Sequence, residues 1–342
     1  MRRYSVYSRL RSTSRGSLRF LLFSLCLCVS AVQVFAQALP VARPEAVGMS
    51  SEKLAQIDAI INGDIADKKM PGAVVIVGRK GKIVYRKAFG NRSLVPTVEP
   101  MTVDTIFDVA SLTKPVATAT SIMILVEQGK LRLNDTIGKF ITDIDDPEAK
   151  KVTILQLLTH TSGYRPDFDL GEKWTGREGM LAALKKEKLR NPPGTRFVYS
   201  DIGFIVLGEI IERISGASVD RFSQANNLKL VEDKGYKFQK FFFSDLNTLG
   251  KRSDFCINEQ PGFPSETRLC PPIAPTENIR GQNSYLGSKF EVDEKRGNQI
   301  LRGAVHDPTA FRMGGVAGHA GLFSTADDLA RFAQMILNGG VV

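Results

Sequence analysis

A serine and a lysine three residues apart, in the stretch "DVASLTKPVATA", have the residue types of a covalent catalytic pair. Ser111 and Lys114 stand near what the apolar pattern predicts to be a helix N-terminus. Residues at i and i+3 share a helix face, so the lysine amine can reach the serine hydroxyl. A serine hydroxyl becomes an effective nucleophile only when a base takes its proton. The spacing therefore predicts nucleophilic catalysis, with Lys114 as the base or its partner.

The same spacing also occurs at Ser50 and Lys53, so spacing alone is weak evidence. Ser50 precedes apolar residues at helical spacing, which indicates a helix cap without chemistry. Ser111 differs by its context, because a long apolar segment follows it and Pro115 lies in a first turn, where proline is tolerated. We therefore expect the nucleophile to be Ser111.

A tyrosine is the next candidate for chemistry. Tyr199 follows a Pro-Gly turn in "PPGTRFVYSDIGF". A phenol hydroxyl beside a lysine can relay a proton between a nucleophile and a leaving group. Taken alone, the pattern fits an ordinary half-buried aromatic residue equally well, so Tyr199 gains meaning only beside Ser111 and Lys114.

The elements that must position these residues follow from periodicity. The pattern predicts a helix behind Ser50, a β-hairpin that turns at residues 79–82, and a buried helix over about 110–128. It further predicts a helix over about 201–214 and a last, amphipathic helix capped by Ser324. A hairpin packed with helices, followed by a mainly helical region, is typical of an α+β fold with an inserted helical subdomain. Because two strands alone are rarely stable, further strands either lie in the irregular stretch over 223–302 or follow residue 342.

The first 38 residues have the pattern of an export signal. Six arginines and no acidic residue precede the apolar run over residues 20–36, with small residues at a cleavage site after 36 or 38. An uncleaved anchor and a lipoprotein site at Cys28 are weaker alternatives. Removing six positive charges from the net charge of +10 leaves +4, so basicity is no argument for nucleic-acid binding. We expect a periplasmic or extracellular protein without a stable membrane span after cleavage.

The cysteines and histidines do not indicate a metal or cofactor site. Cys256 and Cys270 would remain in an exported chain, either as a disulfide or as two thiols without a chemical role. The three histidines, His160, His306 and His319, lack the spacing of metal ligands. A Ser-His-Asp triad through His306 and its neighbouring aspartate is disfavoured because a lysine already occupies the position of the base.

Four motifs in order resemble one known family. The stretches "ASLTK", "LLTHTSG", "PPGTRFVYSDIGF" and "GHAGLFSTADDLARFAQMILNGG" are similar to the serine β-lactamase-like superfamily, in its branch of class C β-lactamases, penicillin-binding proteins and esterases. The resemblance spans about residues 46–340. It implies a transpeptidase-like α+β fold, in which helices flank an antiparallel sheet. It further implies that Ser111 is acylated, that Lys114 is its base or base partner and that Tyr199 relays the proton.

The resemblance also divides the chain. Residues 39–342 would form one hydrolase domain, with an α/β part over 39–130, a helical and irregular insertion over 131–310 and a return segment over 311–342. We expect a monomer that takes a small-molecule or peptide substrate without a cofactor.

Two departures from the family pattern shape the functional expectation. Asp201 stands where the family usually has an asparagine, whose N–H can donate to a substrate amide, whereas an ionised aspartate only accepts. His319 either lies in a loop before a helix or fills the family's third motif, and both residues are candidates for substrate binding. If His319 lies in the loop, the terminal strands of the sheet follow residue 342.

The functional expectation is an exported serine hydrolase acting on peptide, ester or β-lactam-type acyl groups, with peptidoglycan-derived material as one source. A carboxypeptidase or esterase is favoured over an efficient β-lactamase. The alternative is a truncated or degenerate relative that at most binds cell-wall material.

Overall fold

The computed structural model describes residues 39–232, 241–243, 272–278, 285 and 300–339. The predicted export signal and the pairing of Cys256 with Cys270 lie outside these residues. Among the described residues, no helix has both the length and the apolar character needed to cross a membrane.

The described part of the chain contains both helices and antiparallel sheets, which confirms the α+β class. The helices are α1 Ser51–Ala66, α2 Thr120–Glu127, α3 Ile154–Leu158, α4 Gly176–Lys186, α5 Asp201–Ser215, α6 Val219–Glu232, α7 Pro308–Arg312 and α8 Ala326–Leu337. The strands are β1 Gly72–Arg79, β2 Lys82–Ser93, β3 Glu99–Pro100, β4 Ile106–Asp108, β5 Phe241–Phe243, β6 Glu277–Asn278, β7 Ile300–Leu301 and β8 Leu322–Thr325. They pair in the orders β1-β2-β3, β4-β8-β5 and β6-β7. Because β5 lies within residues 223–302, the prediction that this irregular stretch contains further strands is confirmed.

Local sequence signals account for the N-terminal elements. Lys80 and Gly81 both have positive φ, at 51° and 73°, which is the geometry of a tight hairpin turn between β1 and β2. The Ser50 side chain accepts a hydrogen bond from the Lys53 backbone N–H at 3.2 Å and caps α1. This contact confirms that the second Ser-x-x-Lys spacing is a helix cap.

The segment predicted as one long helix after the nucleophile changes its winding twice. A 3-10 turn over Ala110–Leu112 leads into a π-helical stretch over Lys114–Ala119, and regular α-helix begins only with α2. The Asn227 side chain of α6 donates to the carbonyls of Val116 and Ala117 at 3.1 and 3.0 Å. A tertiary partner therefore satisfies carbonyl groups in the π-helical stretch, a winding that often marks functional sites.

The stretch "GLFST" forms the middle strand of the second sheet. In β8, Ser324 pairs with Phe107 of β4 on one side and with Phe241 of β5 on the other. The predicted cap of the last helix is therefore wrong by one residue, since Ser324 is committed to the sheet. The Thr325 side chain caps α8 instead by accepting from the Asp328 backbone N–H at 3.2 Å.

The loop that leads into β8 packs directly on α5, which is buried from Ile202 to Ile211. A Cβ atom added to Gly318 would lie 2.1 Å from the Phe204 carbonyl oxygen, so glycine is required where the two backbones meet.

We predict that Gly318→Ala lowers the free energy of unfolding by about 1–3 kcal/mol, because the loop must move away from α5. Gly63→Ala is the matched control, since a Cβ there meets nothing within 4 Å in the last turn of α1. The control should gain about 0.5–1 kcal/mol from higher helix propensity. Urea unfolding of both variants measures the difference, and equal stability of the two would contradict the packing described.

Candidate active site

Ser111 is exposed and lies at an open cavity of about 310 Å³. The cavity is lined by Asp108, Ala110, Ser111, Thr276, Tyr285, His306, Asp307, Pro308 and Ala320. Ala110 has a positive φ of 46°, an uncommon conformation for a residue with a Cβ. The Asp108 carboxylate holds this turn, because it accepts from the backbone N–H groups of Ala110 and His306, both at 2.9 Å. The serine is thus presented on a fixed, strained turn at the end of β4.

Lys114 is buried, with 4% of its side chain exposed, and three oxygen atoms surround its amine. The Nζ atom lies 3.1 Å from Ser111 Oγ, 3.2 Å from the His319 carbonyl oxygen and 2.5 Å from Asp201 Oδ1. The amine donates hydrogen bonds to Ser111 Oγ and to the His319 carbonyl oxygen, and its contact with Asp201 is an ion pair. The predicted contact between Ser111 and Lys114 is therefore present.

The face of the Tyr199 ring lies next to the Lys114 amine. Lys114 Nζ is 4.8 Å from the ring centroid, within the range of a cation–π contact, and Tyr199 as a whole residue is 44% exposed. Among the hydrogen bonds of the described residues, none joins the Tyr199 hydroxyl to Ser111 or Lys114. The structure therefore brings Tyr199 to the site without a direct bond from its hydroxyl.

Asp201 opens α5 and points its carboxylate at the lysine. The preceding residue, Ser200, caps the helix by accepting from the Gly203 backbone N–H at 3.3 Å and donates to the Arg165 carbonyl oxygen at 2.7 Å. The ion pair with Lys114 occupies one Asp201 oxygen at 2.5 Å. In this arrangement Asp201 holds the lysine by charge.

The His319 ring is buried and pairs with a cavity-lining carboxylate. Its Nε2 atom lies 2.8 Å from Asp307 Oδ1, and 1% of the side chain is exposed. Burial works to lower the pKa of His319, but Asp307, with Asp201 and Asp167, outweighs it and raises that pKa. Burial likewise works to raise the pKa of Asp307, yet His319 and Lys114 hold it at about 2. The side chain of this pair that reaches the cavity is Asp307.

Two side-chain bonds attach the His319 loop to the nucleophile segment. The Thr118 hydroxyl donates to the Gly318 carbonyl oxygen at 2.7 Å. The Leu322 backbone N–H donates to the Thr113 hydroxyl at 3.1 Å. Together with the bond from Lys114 to the His319 carbonyl, they fix the loop before β8 beside the serine.

Sequence reasoning missed most of the acidic residues around the site. Asp108 opens the stretch "DVASLTKPVATA" and Asp307 directly follows His306, but neither is among the residues predicted from the sequence to act at the site. Asp167 accepts from the Thr309 hydroxyl at 2.8 Å, and burial raises the pKa of both Asp167 and Asp108. A carboxylate next to the nucleophile was the available signal for Asp108, whereas the role of Asp167 depends on long-range packing.

Within the described ranges, no group of three or more histidine, cysteine or acidic side chains could hold a metal ion.

The family model that matches the chain is Beta-lactamase, over residues 57–342. A "Putative D-alanyl-D-alanine carboxypeptidase" of Salmonella agona (strain SL483) is 32% identical over 346 aligned residues, which cover 94% of this chain and 74% of that protein. The protein of the same name from Salmonella paratyphi A (strain ATCC 9150 / SARB42) matches with the same identity and coverage.

Solved structures share the fold. The octameric penicillin-binding protein homologue from Pyrococcus abyssi superposes with a TM-score of 0.58 at 25% identity, over 84% of this chain and 56% of that chain. A class C beta lactamase gives a TM-score of 0.58 at 22% identity, over 84% of this chain and 66% of that chain. The chain thus spans a little over half the length of the Pyrococcus protein and just under two thirds of the lactamase.

The charge of His319 gives a prediction about stability. A raised histidine pKa contributes stability that is fully present below its ordinary value of 6.5 and lost as pH rises through the folded value. A lowered aspartate pKa contributes stability above its ordinary 3.8, which is lost as pH falls toward about 2. The pair therefore stabilises the fold most between about pH 4 and pH 6.5.

His319→Gln keeps a donor toward Asp307 but removes the charge. We expect the variant to lose about 1–3 kcal/mol of unfolding free energy at pH 5.5 and less at pH 9. His306→Gln is the control, since His306 also lies 2.8 Å from a carboxylate, that of Glu277, but is 34% exposed, so its loss should stay below about 1 kcal/mol. Urea unfolding at both pH values measures this, and a His319→Gln deficit that is the same at each pH would contradict the buried charge pair.

Proposed function

Because the chain belongs to the beta-lactamase family, we propose that it is a serine hydrolase that forms an acyl-enzyme on Ser111. The observation that carries the proposal is the 3.1 Å contact between Lys114 Nζ and Ser111 Oγ at the edge of an open cavity. A nucleophile within reach of a base, itself oriented by a third group, is the general pattern of activated serine. Asp201 is that third group here, through its ion pair with the lysine.

The proposed reaction has two balanced halves. The Ser111 oxygen bonds to the acyl carbon as the bond from that carbon to the leaving group breaks. Lys114 acts as the neutral amine, so its ammonium form must first give one proton to solvent. The Ser111 hydroxyl proton then passes to Lys114 and, through Tyr199, to the leaving group, which departs as a neutral amine or alcohol. A water molecule then attacks the acyl carbon, which releases the acid and restores the Ser111 hydroxyl. Tyr199 is the assigned carrier because its ring already contacts the lysine and is partly exposed.

The proposed substrates are peptide or ester acyl groups, with a carboxypeptidase or esterase favoured over an efficient β-lactamase. The Salmonella relatives are named as putative D-alanyl-D-alanine carboxypeptidases, which supports a peptide from the cell wall as one substrate. Asp201 supports the preference against β-lactams, since its carboxylate can only accept from a substrate amide. We further propose that the protein is exported, on the N-terminal pattern of the sequence.

We predict that an activated ester or a fluorescent penicillin leaves a covalent adduct on the peptide that contains Ser111. Ser111→Ala should abolish the adduct, because Ser111 is the only residue among the three oxygen neighbours of Lys114 Nζ that lines the cavity. Ser50→Ala is the matched control, as it removes the serine of the other Ser-x-x-Lys spacing and costs only a helix cap, about 1 kcal/mol. Peptide mass mapping reads the position of the adduct.

The adduct should survive in Ser50→Ala and disappear in Ser111→Ala. Absence of any adduct from the native protein, with both reagents, would favour the non-catalytic alternative. An adduct that persists in Ser111→Ala would place the chemistry elsewhere.

A second prediction concerns the choice between substrates. Asp201→Asn supplies an N–H donor that can reach a substrate amide carbonyl. We expect the ratio of penicillin labelling to ester labelling to rise about 3- to 10-fold, the worth of one hydrogen bond. The ratio is the measurement, because it cancels the loss of the ion pair with Lys114, which affects both reagents. An unchanged or lower ratio would show that Asp201 does not decide this preference.

A further inference from the structure

His160 holds the backbone on both sides of Tyr199. Its carbonyl oxygen accepts from the Val198 backbone N–H at 2.9 Å, and its ring atom Nδ1 accepts from the Ser200 backbone N–H at 3.1 Å. His160 adopts a left-handed φ of 56°, a conformation that histidine and asparagine tolerate better than most residues. His160, the second residue after the end of α3, thus holds the three-residue stretch that carries Tyr199 from both sides.

The second of these bonds fixes the protonation state of the ring. A backbone N–H can only donate, so Nδ1 must carry a lone pair and the proton of the neutral ring must be on Nε2. A protonated ring would place an Nδ1–H against the Ser200 N–H. Two donors would then face each other, and the bond would be lost.

The ring also forms a stacking surface for the site. Its centroid lies 4.4 Å from that of Tyr199, with the planes tilted by 31°. Phe204 lies 5.1 Å away on α5, and Phe197 meets the ring edge at 5.8 Å. Tyr199 is therefore fixed through its backbone and its ring, and Ser200 is fixed at the start of α5.

The position of this stretch affects Lys114 through two residues that contact its amine. Tyr199 presents its ring 4.8 Å from Lys114 Nζ, and Asp201, next to the clamped Ser200, pairs with the same nitrogen at 2.5 Å. A shift of the clamped stretch would withdraw both groups from the amine together.

The charges that face the ring favour its neutral form. Burial first, and then the charge of Lys114, lower the pKa of His160 below its ordinary 6.5, while the charge of Asp201 opposes them. The bond from Ser200 also favours the neutral ring, because it is lost when Nδ1 is protonated. Tyr199 is the remaining titratable group in contact with the ring. The neutral ring therefore predominates at pH 6.5 and above, and the protonated ring becomes the major form only at a lower pH.

We propose that His160 is a positioning residue, whose neutral ring holds Tyr199 and Asp201 against Lys114 and whose protonation releases them. This inference rests on the proposed function of Ser111, since its effect on chemistry is felt through acylation. The expected consequence is that the rate of Ser111 labelling falls at low pH in part because His160 becomes protonated.

Two substitutions separate the acceptor from the ring. His160→Asn places an amide oxygen near the position of Nδ1, tolerates the left-handed backbone and does not titrate. His160→Gly tolerates the backbone equally well but has no acceptor. The rate of Ser111 labelling by an activated ester is measured between about pH 4 and pH 8 for the native protein and both variants, the range in which histidine titrates.

We expect His160→Asn to label within about threefold of the native rate at pH 7.5 and to lose less of its rate in acid than the native protein does, since it keeps the acceptor and does not titrate. The dependence on the Lys114 proton is common to both proteins and cancels in the ratio of their rates. His160→Gly should label about 10- to 100-fold more slowly at each pH, the cost of misplaced groups. Equal rates in the two variants, or a ratio of native to His160→Asn rates that does not fall as the pH is lowered, would overturn the proposal.

Hydrogen exchange of the Ser200 amide keeps the inference separable from the proposed function. The amide should be protected in the native protein and in His160→Asn and exchange faster in His160→Gly, whether or not Ser111 is labelled. If the native protein is never labelled, the proposed function fails while the exchange result still decides the clamp. Protection that is equal in both variants would overturn it.

Discussion

A buried positive charge is the constraint on which the site depends. Lys114 lies in the interior, where a cation is tolerated only when it is paired and hydrogen-bonded. Its three oxygen neighbours come from separate parts of the chain: Ser111 from the turn after β4, Asp201 from the start of α5 and His319 from the loop before β8. A shift of any one part would leave the cation short of a partner. The lysine therefore couples the sheet side of the site to its helical side.

Charges of alternating sign extend from this centre. Asp201 and Asp307 are the anionic groups, and Lys114 and the His319 ring are the cationic ones. Each buried charge thus has an opposite neighbour, which reduces the cost of removing it from water. Such an arrangement keeps polar groups fixed before any substrate arrives, and preorganised groups need little rearrangement during a reaction. The strained Ala110 turn, held by its own carboxylate partner, is part of the same fixed frame.

Features that depend on neighbouring residues could be predicted from the sequence. The Ser50 cap and the contact between Ser111 and Lys114 follow from spacing over three residues. The π-helical winding after the nucleophile could not be predicted in this way, because it depends on Asn227, 111 residues after Val116. Residues that act across the fold carry no local signal of their partners.

The same limit applies to the histidines. His160 lies in the stretch "LLTHTSG", which carries no local sign that the ring accepts a hydrogen bond from Ser200, 40 residues later. The pairing of His319 with Asp307 likewise appears only when α7 and the loop before β8 are placed side by side. Sequence motifs thus located the segments of the site, and packing determined what each side chain does there.

The central claim is that Lys114 activates Ser111, and its most direct test removes the amine without leaving a charge unpaired. The measurement is the rate of Ser111 acylation by an activated ester in the double variant Lys114→Met with Asp201→Asn, compared with Asp201→Asn alone. The account predicts a folded protein whose acylation is slower by a factor of about 100 or more, the typical contribution of a positioned base. Acylation of the double variant at the rate of Asp201→Asn would contradict it.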